Sequence, residues 1–550
     1  MRDRGIILKT RERYINFISD WSGRFKYNGR NFRELFVLNN DLSYWWLSEM
    51  QKKDSESSDV FKNLYCSKAG ITARTGDGSY KGYVLYYFLL KVRFLASIFL
   101  KMLVFRLFIR REDADKQWNE YVLFVSIYSN TLKYKDGRLC DRYYLDLPEK
   151  IENQLGFKTK YISFYCNSAY QLIKEIGKLK DKRIIFYERY LTIKDILGAF
   201  DIRHVLRYIF IEARRGFKES FSFEDTNVFG LFRRELRQSF IGPGISECIL
   251  LSKAIERLAK RYEIKAIVTF LEMYPASRAI YYGLKRGNPM AKSIAYQHAN
   301  VTPMKLWYIY HPAELLQGDD YINSMPIPDY FVFQGRMGRD LLVKSGYPEE
   351  RCFLTGSPRF DSLSVAKKEE IKLKLPLDKK IILVATTYSE EDTIEIVRIV
   401  SAAAKARNDS FFIFKAHSNC PLEPILLEYG FQNYSIVNGD VHQLILSSDV
   451  LVTSYSTTAD EAIALNCPSI CIDTGVAVNM STFFEIEAGP VVYNADELNS
   501  AIDMIFYHPE AFRRFKEKWP DLIEATFYKL DGKAHQRVLD MMKKFLLKGG

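Results

Sequence analysis

The strongest constraint on this chain is its alternation, from about residue 120 onward, of short apolar runs with stretches of helical periodicity. Strand-length runs separated by helices predict βαβ units, and hence parallel sheets covered by helices. Seven runs come first: YVLFVSI (121–127), KYISFY (160–165), RIIFYE (183–188), KAIVTFLE (265–272), KSIAYQH (292–298), YFVFQG (330–335) and CFLTGS (352–357). A charged segment without strand character, VAKKEEIKLKLPLDKK, separates them from six more: IILVATTY (381–388), FFIFKAH (411–417), YSIVNG (434–439), DVLVTSYS (449–456), PSICIDTG (468–475) and PVVYN (490–494). The expectation is an α/β fold of two Rossmann-like domains, 116–365 and 376–530, with the lysine-rich segment as hinge and a helix over 531–550. Open sheets of this kind bind ligands beyond the carboxyl ends of their strands, so two of them facing one cleft place the chemistry there.

Residues 1–115 fit neither series and predict a mainly helical N-terminal addition, either an acceptor-side cap or a membrane-facing element. It contains SYWWLSEMQKK, with Trp45 and Trp46, and then YVLYYFLLKVRFLASIFLKMLVFRLFIRR at 83–111. Lys91, Arg93, Lys101 and Arg106 interrupt that stretch, so no run reaches the roughly 18 apolar residues of a spanning helix. Two readings stand. One is a basic, aromatic-rich helix lying on anionic headgroups, its cationic side chains snorkelling. The other is a buried helix with its charged ends turned outward, since the charges do not gather on one face.

The start, MRDRGIILKTRERY, lacks the apolar core of a secretory signal. The eight cysteines form no CxxC pair, which fits free thiols in a reducing compartment. The expected location is cytoplasmic, with peripheral attachment at the inner membrane if the first reading of 83–111 holds. At 47% hydrophobic and 27% charged residues the composition is globular and excludes a disordered chain. The formal charge of +12 suits anionic partners. No RNP, zinc-knuckle or helix-turn-helix pattern accompanies it, so nucleic acid is not expected.

Three segments could carry chemistry. In DVLVTSYSTTADEAIAL a strand ends in Ser454, Ser456 and Thr457, and a helix begins. Hydroxyls and free N–H groups at a helix N-terminus suit a phosphate, although Ser and Thr also serve there simply as caps. Glu461 follows one turn later, placed to accept from ribose hydroxyls. In FFIFKAHSN a strand delivers Lys415 and His417, two residues apart and so on one side. In FLTGSPRFD, Gly356 and Pro358 shape a turn from which Arg359 extends a planar, permanently charged fork. Asp361 either orients Arg359 or caps a helix.

The ordered set GSPR-FD, KAH and TSYSTTADEA followed by CPSI resembles the GT-B transferases of bacterial surface carbohydrate assembly: sialyltransferase- and Kdo-transferase-like enzymes and CDP-glycerol glycerophosphotransferase-like proteins. Those families hold the nucleotide phosphate with an HP-type and a Ser/Ser-Thr motif. Here these map onto His417, followed by Ser418 in place of proline, and onto Ser454, Ser456 and Thr457. FLEMYPASRAI and SIAYQHANVTP are similar to segments of surface carbohydrate biosynthesis proteins, and correspond to Glu272, Pro275 and Arg278, then Gln297 and His298.

The resemblance implies a GT-B glycosyltransferase moving a sugar, Kdo or a nonulosonic acid from a CMP-linked donor, onto a surface polysaccharide or lipid-linked acceptor, with no cofactor beyond the nucleotide-sugar donor. Arg359, Lys415, His417, Ser454, Ser456, Thr457 and Glu461 would bind the nucleotide. Glu272 and His298, both ending strands of the first domain, would be the catalytic pair, as base in an inverting reaction or, for Glu272, as nucleophile in a retaining one. A buried salt bridge from Glu272 to Arg278 is the structural alternative. No clustered His/Cys set is present, so no metal is expected, and Asp319 and Asp320 read as turn residues. Three other readings remain: a CDP-glycerol-type polyol-phosphate transferase, a nucleotide-sugar epimerase, and a non-catalytic assembly protein.

Overall fold

The structure, a computed structural model, describes residues 4–53, 83–109 and 120–547, apart from 129, 136, 165–167, 178, 180, 225, 316–319, 367–375, 377, 418–419, 431 and 477–478. Most of the proposed hinge, Ser418, Asp319, Cys66, Cys166 and the last two residues of the 83–111 segment therefore lie outside the described residues.

All thirteen expected strands form. The first sheet comprises β1 (Glu120–Ile127), β2 (Lys158–Phe164), β3 (Ile184–Phe186), β4 (Glu263–Phe270), β5 (Lys292–Tyr296), β6 (Tyr330–Phe333) and β7 (Cys352–Leu354). The second comprises β8 (Lys380–Ala385), β9 (Ser410–Lys415), β10 (Tyr434–Ile436), β11 (Val450–Thr453), β12 (Ser469–Ile472) and β13 (Val491–Val492). Their spatial orders are β7-β6-β5-β4-β1-β2-β3 and β10-β9-β8-β11-β12-β13. Every neighbouring pair in both is parallel. Each order reverses once, between β1 and β4 and between β8 and β11, which opens a crevice at the carboxyl ends of those strands. Most strands stop short of the apolar run that marks them, because the final residues of each run leave the ladder and turn into the cleft. His298, His417 and Ser456 all belong to such strand-end residues.

The helices needed below are α1 (Arg4–Arg24), α2 (Val84–Phe108), α3 (Ile193–Phe200), α4 (Ile202–Glu212), α5 (Gly244–Arg261), α6 (Pro275–Gly287), α7 (Val441–Leu446), α8 (Thr457–Ala464) and α9 (Ala534–Leu546). The N-terminal addition is not purely helical. Between α1 and residue 53 it runs through short two-residue strands and two 3₁₀ turns, and Trp45 and Trp46 are fully buried in the first of those turns. One apolar core joins it to α3, α4, α5 and one face of the first sheet. Arg278 staples this junction. It is wholly buried on α6 and donates to the backbone carbonyls of Trp46 (2.6 Å), Gln51 (3.1 Å) and Met273 (2.6 Å). The Glu272–Arg278 salt bridge considered from the sequence is therefore not formed, because the guanidinium spends its donors on carbonyls.

α9 returns to the first domain. Its Val538, Leu539, Met541 and Met542 pack with Val122, Phe124, Ile294 and Val332 under the first sheet, and burying each such side chain contributes about 1.5–3 kcal/mol. Asp361 receives the start of this helix, accepting from the N–H groups of Ala534 (2.9 Å) and His535 (3.2 Å). The capping reading of Asp361 is the one realised. The turn before it uses Gly356 at φ +77°, a conformation costly for any residue with a Cβ.

α2 inverts the expected disposition of charge. Lys91 and Lys101 are buried, and Leu85, Leu89, Leu100 and Leu107 are exposed. Burial holds the Lys91 ammonium below its ordinary range, at about 8, against the opposing pull of Asp201. No helix among the described residues is long and apolar enough to cross a membrane.

Candidate active site

The carboxyl ends of β4 and β5 set two expected residues side by side. Chain leaving β4 carries Glu272 and chain leaving β5 carries His298, and His298 Nε2 lies 3.2 Å from Glu272 Oε1. The two differ in access: the Glu272 side chain is 35% exposed and that of His298 only 10%. Phe270 and Tyr143 wall in the imidazole, each with ring centres 4.9 Å from it. Its Nδ1 is buried without a hydrogen-bond partner among the described residues. This is a carboxylate open to the cleft and backed by a ring that can move only slightly.

Arg359 leaves the turn after β7 and spans the two domains. It approaches the His298 carbonyl at 3.5 Å and Glu461 Oε1 at 3.3 Å, with its guanidinium 5.5 Å above the Tyr143 ring. Glu461 projects from α8 and is almost fully buried. Its other oxygen meets His442 Nε2 at 2.8 Å. Both carboxylate oxygens are thus engaged, so Glu461 organises Arg359 and His442 and is not an exposed carboxylate. His442 stands in the first turn of α7, which Asp440 caps by accepting from the His442 and Gln443 N–H groups. The hydrogen bond to Glu461 raises the imidazole above its ordinary value, against the cost of burial.

The Ser/Thr loop divides its roles. Ser454 is buried at the end of β11, beside Asp392. Ser456 is the N-cap of α8, accepting from the Thr458 N–H at 3.2 Å. Thr457, half-buried, opens the helix at the cleft. Capping and anion binding coexist here, since one side-chain cap satisfies only some of the donors at a helix start. Lys415 is the last residue of β9, and its carbonyl accepts from Thr386. His417 follows outside the strand, its N–H donating to Thr386 Oγ1 at 3.2 Å and its ring 6.3 Å from that of Tyr388. Partial burial and the Arg142 guanidinium lower its basicity, in that order. Arg142 belongs to the first domain, so it brings positive charge across the cleft to His417.

The expected residues fall into two connected groups. Glu272, His298, Arg359 and Glu461 join through the contacts given, and Lys415, His417, Ser454, Ser456 and Thr457 ring the β8–β9–β11 crevice. Sequence reasoning missed Arg142, Tyr143 and His442. The aspartate cap two residues before His442 was the available signal for the last.

Residues 317–544 match a family model described as CDP-glycerol:poly(glycerophosphate) glycerophosphotransferase. A teichoic acid poly(ribitol-phosphate) polymerase of Bacillus spizizenii is 28% identical over 222 residues, which cover 36% of this chain and 34% of the relative. The match thus spans about a third of that relative's length. Among solved structures, the wall teichoic acid polymerase TagF aligns at TM-score 0.41 and 14% identity over 84% of this chain and 98% of that one. A UDP complex of Staphylococcus aureus MnaA aligns at TM-score 0.44 and 11% identity over 78% and 97%. The family similarity therefore rests on residues 317–544, which hold Arg359, the whole ring around the second crevice, His442 and Glu461, and it leaves Glu272 and His298 outside.

Proposed function

We propose that this chain is a transferase of the GT-B type that moves a polyol phosphate from a CDP-linked donor, such as CDP-glycerol, onto the end of a surface polyol-phosphate polymer. The observation that carries the reading is the coincidence of the family match with the cationic crevice it encloses. It favours the CDP-glycerol-type alternative of the sequence reading over transfer of Kdo or a nonulosonic acid from a CMP-sugar. Lys415, His417 and the start of α8 would hold the diphosphate, with Arg359 and His442, both set by Glu461, facing the departing nucleotide.

In this reaction the acceptor hydroxyl oxygen bonds to the β-phosphorus, the bond from that phosphorus to the oxygen bridging the α-phosphate breaks, and CMP departs with the electron pair. The hydroxyl proton goes to Glu272, the member of the pair that reaches the cleft, while His298 holds the carboxylate in place. Contact of α2 with the membrane would bring a lipid-linked acceptor to the cleft.

The test is a melting-temperature series of the purified chain against CDP-glycerol, CDP-ribitol, CMP-Kdo and UDP-N-acetylglucosamine, repeated on Arg359→Ala, since a ligand of the native state raises the melting temperature. A rise with a CDP-polyol that is lost in the variant is the expected result. A rise confined to CMP-Kdo restores the keto-sugar reading, and one confined to the UDP-sugar, with conversion of that sugar to an isomer, favours the epimerase.

A further inference from the structure

After β1 the chain forms an antiparallel strand pair, Leu132–Lys135 with Arg138–Asp141, and leaves it directly into Arg142 and Tyr143. That turn is anchored from beneath. Asp141 is fully buried and accepts from the N–H groups of Tyr143 (2.8 Å) and Tyr144 (3.2 Å). The Tyr144 ring, also fully buried, stacks on Phe270 with centres 5.0 Å apart, and its hydroxyl donates to the Val125 carbonyl at 3.2 Å. These contacts leave Arg142 exposed at the tip of the turn and Tyr143 half-buried beside it.

The Tyr143 ring collects groups from three loops. It meets the His298 ring edge-on at 4.9 Å, and the guanidinium carbons of Arg142 and Arg359 lie 4.6 Å and 5.5 Å from its centre. Arg142 also donates to the Tyr143 hydroxyl. A phenol is neutral, and among the described residues Arg142 has no carboxylate partner, so its charge is not cancelled. Arg142 therefore stands between two halves of the site. On one side are Tyr143, His298 and Glu272. On the other is His417, whose basicity Arg142 lowers from across the cleft.

A phosphoryl group passing from donor to acceptor has to cross that interval. The attacking and leaving oxygens lie roughly in line through the phosphorus, so the two non-bridging oxygens project sideways from the line of transfer. A fixed cation placed there stabilises the charge that spreads over them as the bonds exchange, and the planar fork of an arginine can meet both at once.

We propose that Arg142 is the first domain's ligand for the phosphoryl group in transit, donating to the two non-bridging oxygens of the β-phosphate of a CDP-polyol. The inference rests on the proposed polyol-phosphate transfer and adds to it a residue that touches the reacting group. Arg142 gains and loses no proton. The acceptor oxygen bonds to the β-phosphorus, the bridging oxygen leaves with its electron pair in CMP, and the acceptor proton goes to Glu272.

The test measures transfer from CDP-glycerol to a short synthetic oligo(glycerol phosphate) by the full chain, together with calorimetric affinity for CMP, which lacks the β-phosphate. The variants are Arg142→Ala, Arg142→Lys and, as a control, Arg138→Ala, which removes an exposed arginine from the same strand pair. Arg142→Ala is expected to lower kcat about a hundredfold or more while CMP affinity changes less than about twofold, with Arg142→Lys recovering part of the rate and Arg138→Ala matching wild type. Wild-type kcat in Arg142→Ala, or an equal loss in Arg138→Ala, overturns the assignment. So does a loss of CMP affinity as large as the loss of rate, which would place Arg142 on the nucleotide, or a raised acceptor KM at unchanged kcat, which would place it on the acceptor chain. A wild-type chain that transfers from neither CDP-glycerol nor CDP-ribitol overturns the transfer reading and this inference with it.

Discussion

In the transfer proposed above, Glu272 and His298 would work only as a pair. A half-exposed carboxylate alone would be solvated and free to rotate, and an imidazole walled in by Phe270 and Tyr143 could not reach an acceptor. Joined at 3.2 Å they would give the proposed reaction one oriented proton acceptor. Replacing either by Ala is expected to lower turnover by about 10²–10⁴-fold, and the double replacement to cost little more, because residues acting as a unit lose their function with the first deletion. Single-turnover rates at saturating donor check this. Multiplicative losses would mean separate roles for the two. The positions of both residues, just past the ends of two neighbouring strands, were legible in the sequence. Their partnership was not, since the β4–β5 register and the diversion of Arg278 to backbone carbonyls are tertiary facts. The place of Glu461 one turn into a helix at the cleft was legible, but its contacts were not, since they depend on Arg359 arriving from another domain and on His442.

The strands could be read because their runs are apolar and short, and burial on both faces of a parallel sheet demands that pattern. α2 could not be read correctly, since its cations look equally suited to either face until its neighbours are known. Phe200, whose carbonyl receives the Lys91 ammonium at 3.4 Å, is more than a hundred residues away in sequence. α9 shows how a single side chain anchors an element. Its first two N–H groups and the His535 ring all bond to Asp361, so the helix is capped by a residue from the turn that also presents Arg359. Asp361→Ala is expected to cost about 0.5–2 kcal/mol and to speed amide exchange across residues 534–546, with Asp361→Asn recovering much of the protection. Unchanged exchange in the Ala variant would show that packing alone holds the helix.

The two domains meet through a buried polar chain that begins beside the Glu272–His298 pair. Gln297 accepts from the Gln334 N–H at 3.1 Å, the Gln334 amide donates to Asn300 at 2.9 Å, and Asn300 donates to Asp460 of α8 in the second domain. Nearby, the Thr302 hydroxyl donates to the Met480 carbonyl at 3.0 Å. Asp460 is fully buried, and burial raises its carboxyl from 3.8 to about 8, against the lowering effect of Asn300. A carboxyl raised on folding binds its proton more tightly in the native state. Its contribution is therefore complete below pH 3.8, falls as pH rises through the interval up to about 8, and above that leaves a charge buried between the domains. Asp460→Asn keeps the shape and removes the titration. Relative to wild type, the variant should lose less melting temperature between pH 5 and pH 9, the two curves diverging while Asp460 is ionised in the unfolded chain but still protonated in the folded one, and running parallel above about pH 8. Parallel curves would show that Asp460 is already ionised at the lower pH, and that the domains are held together against a permanent buried charge.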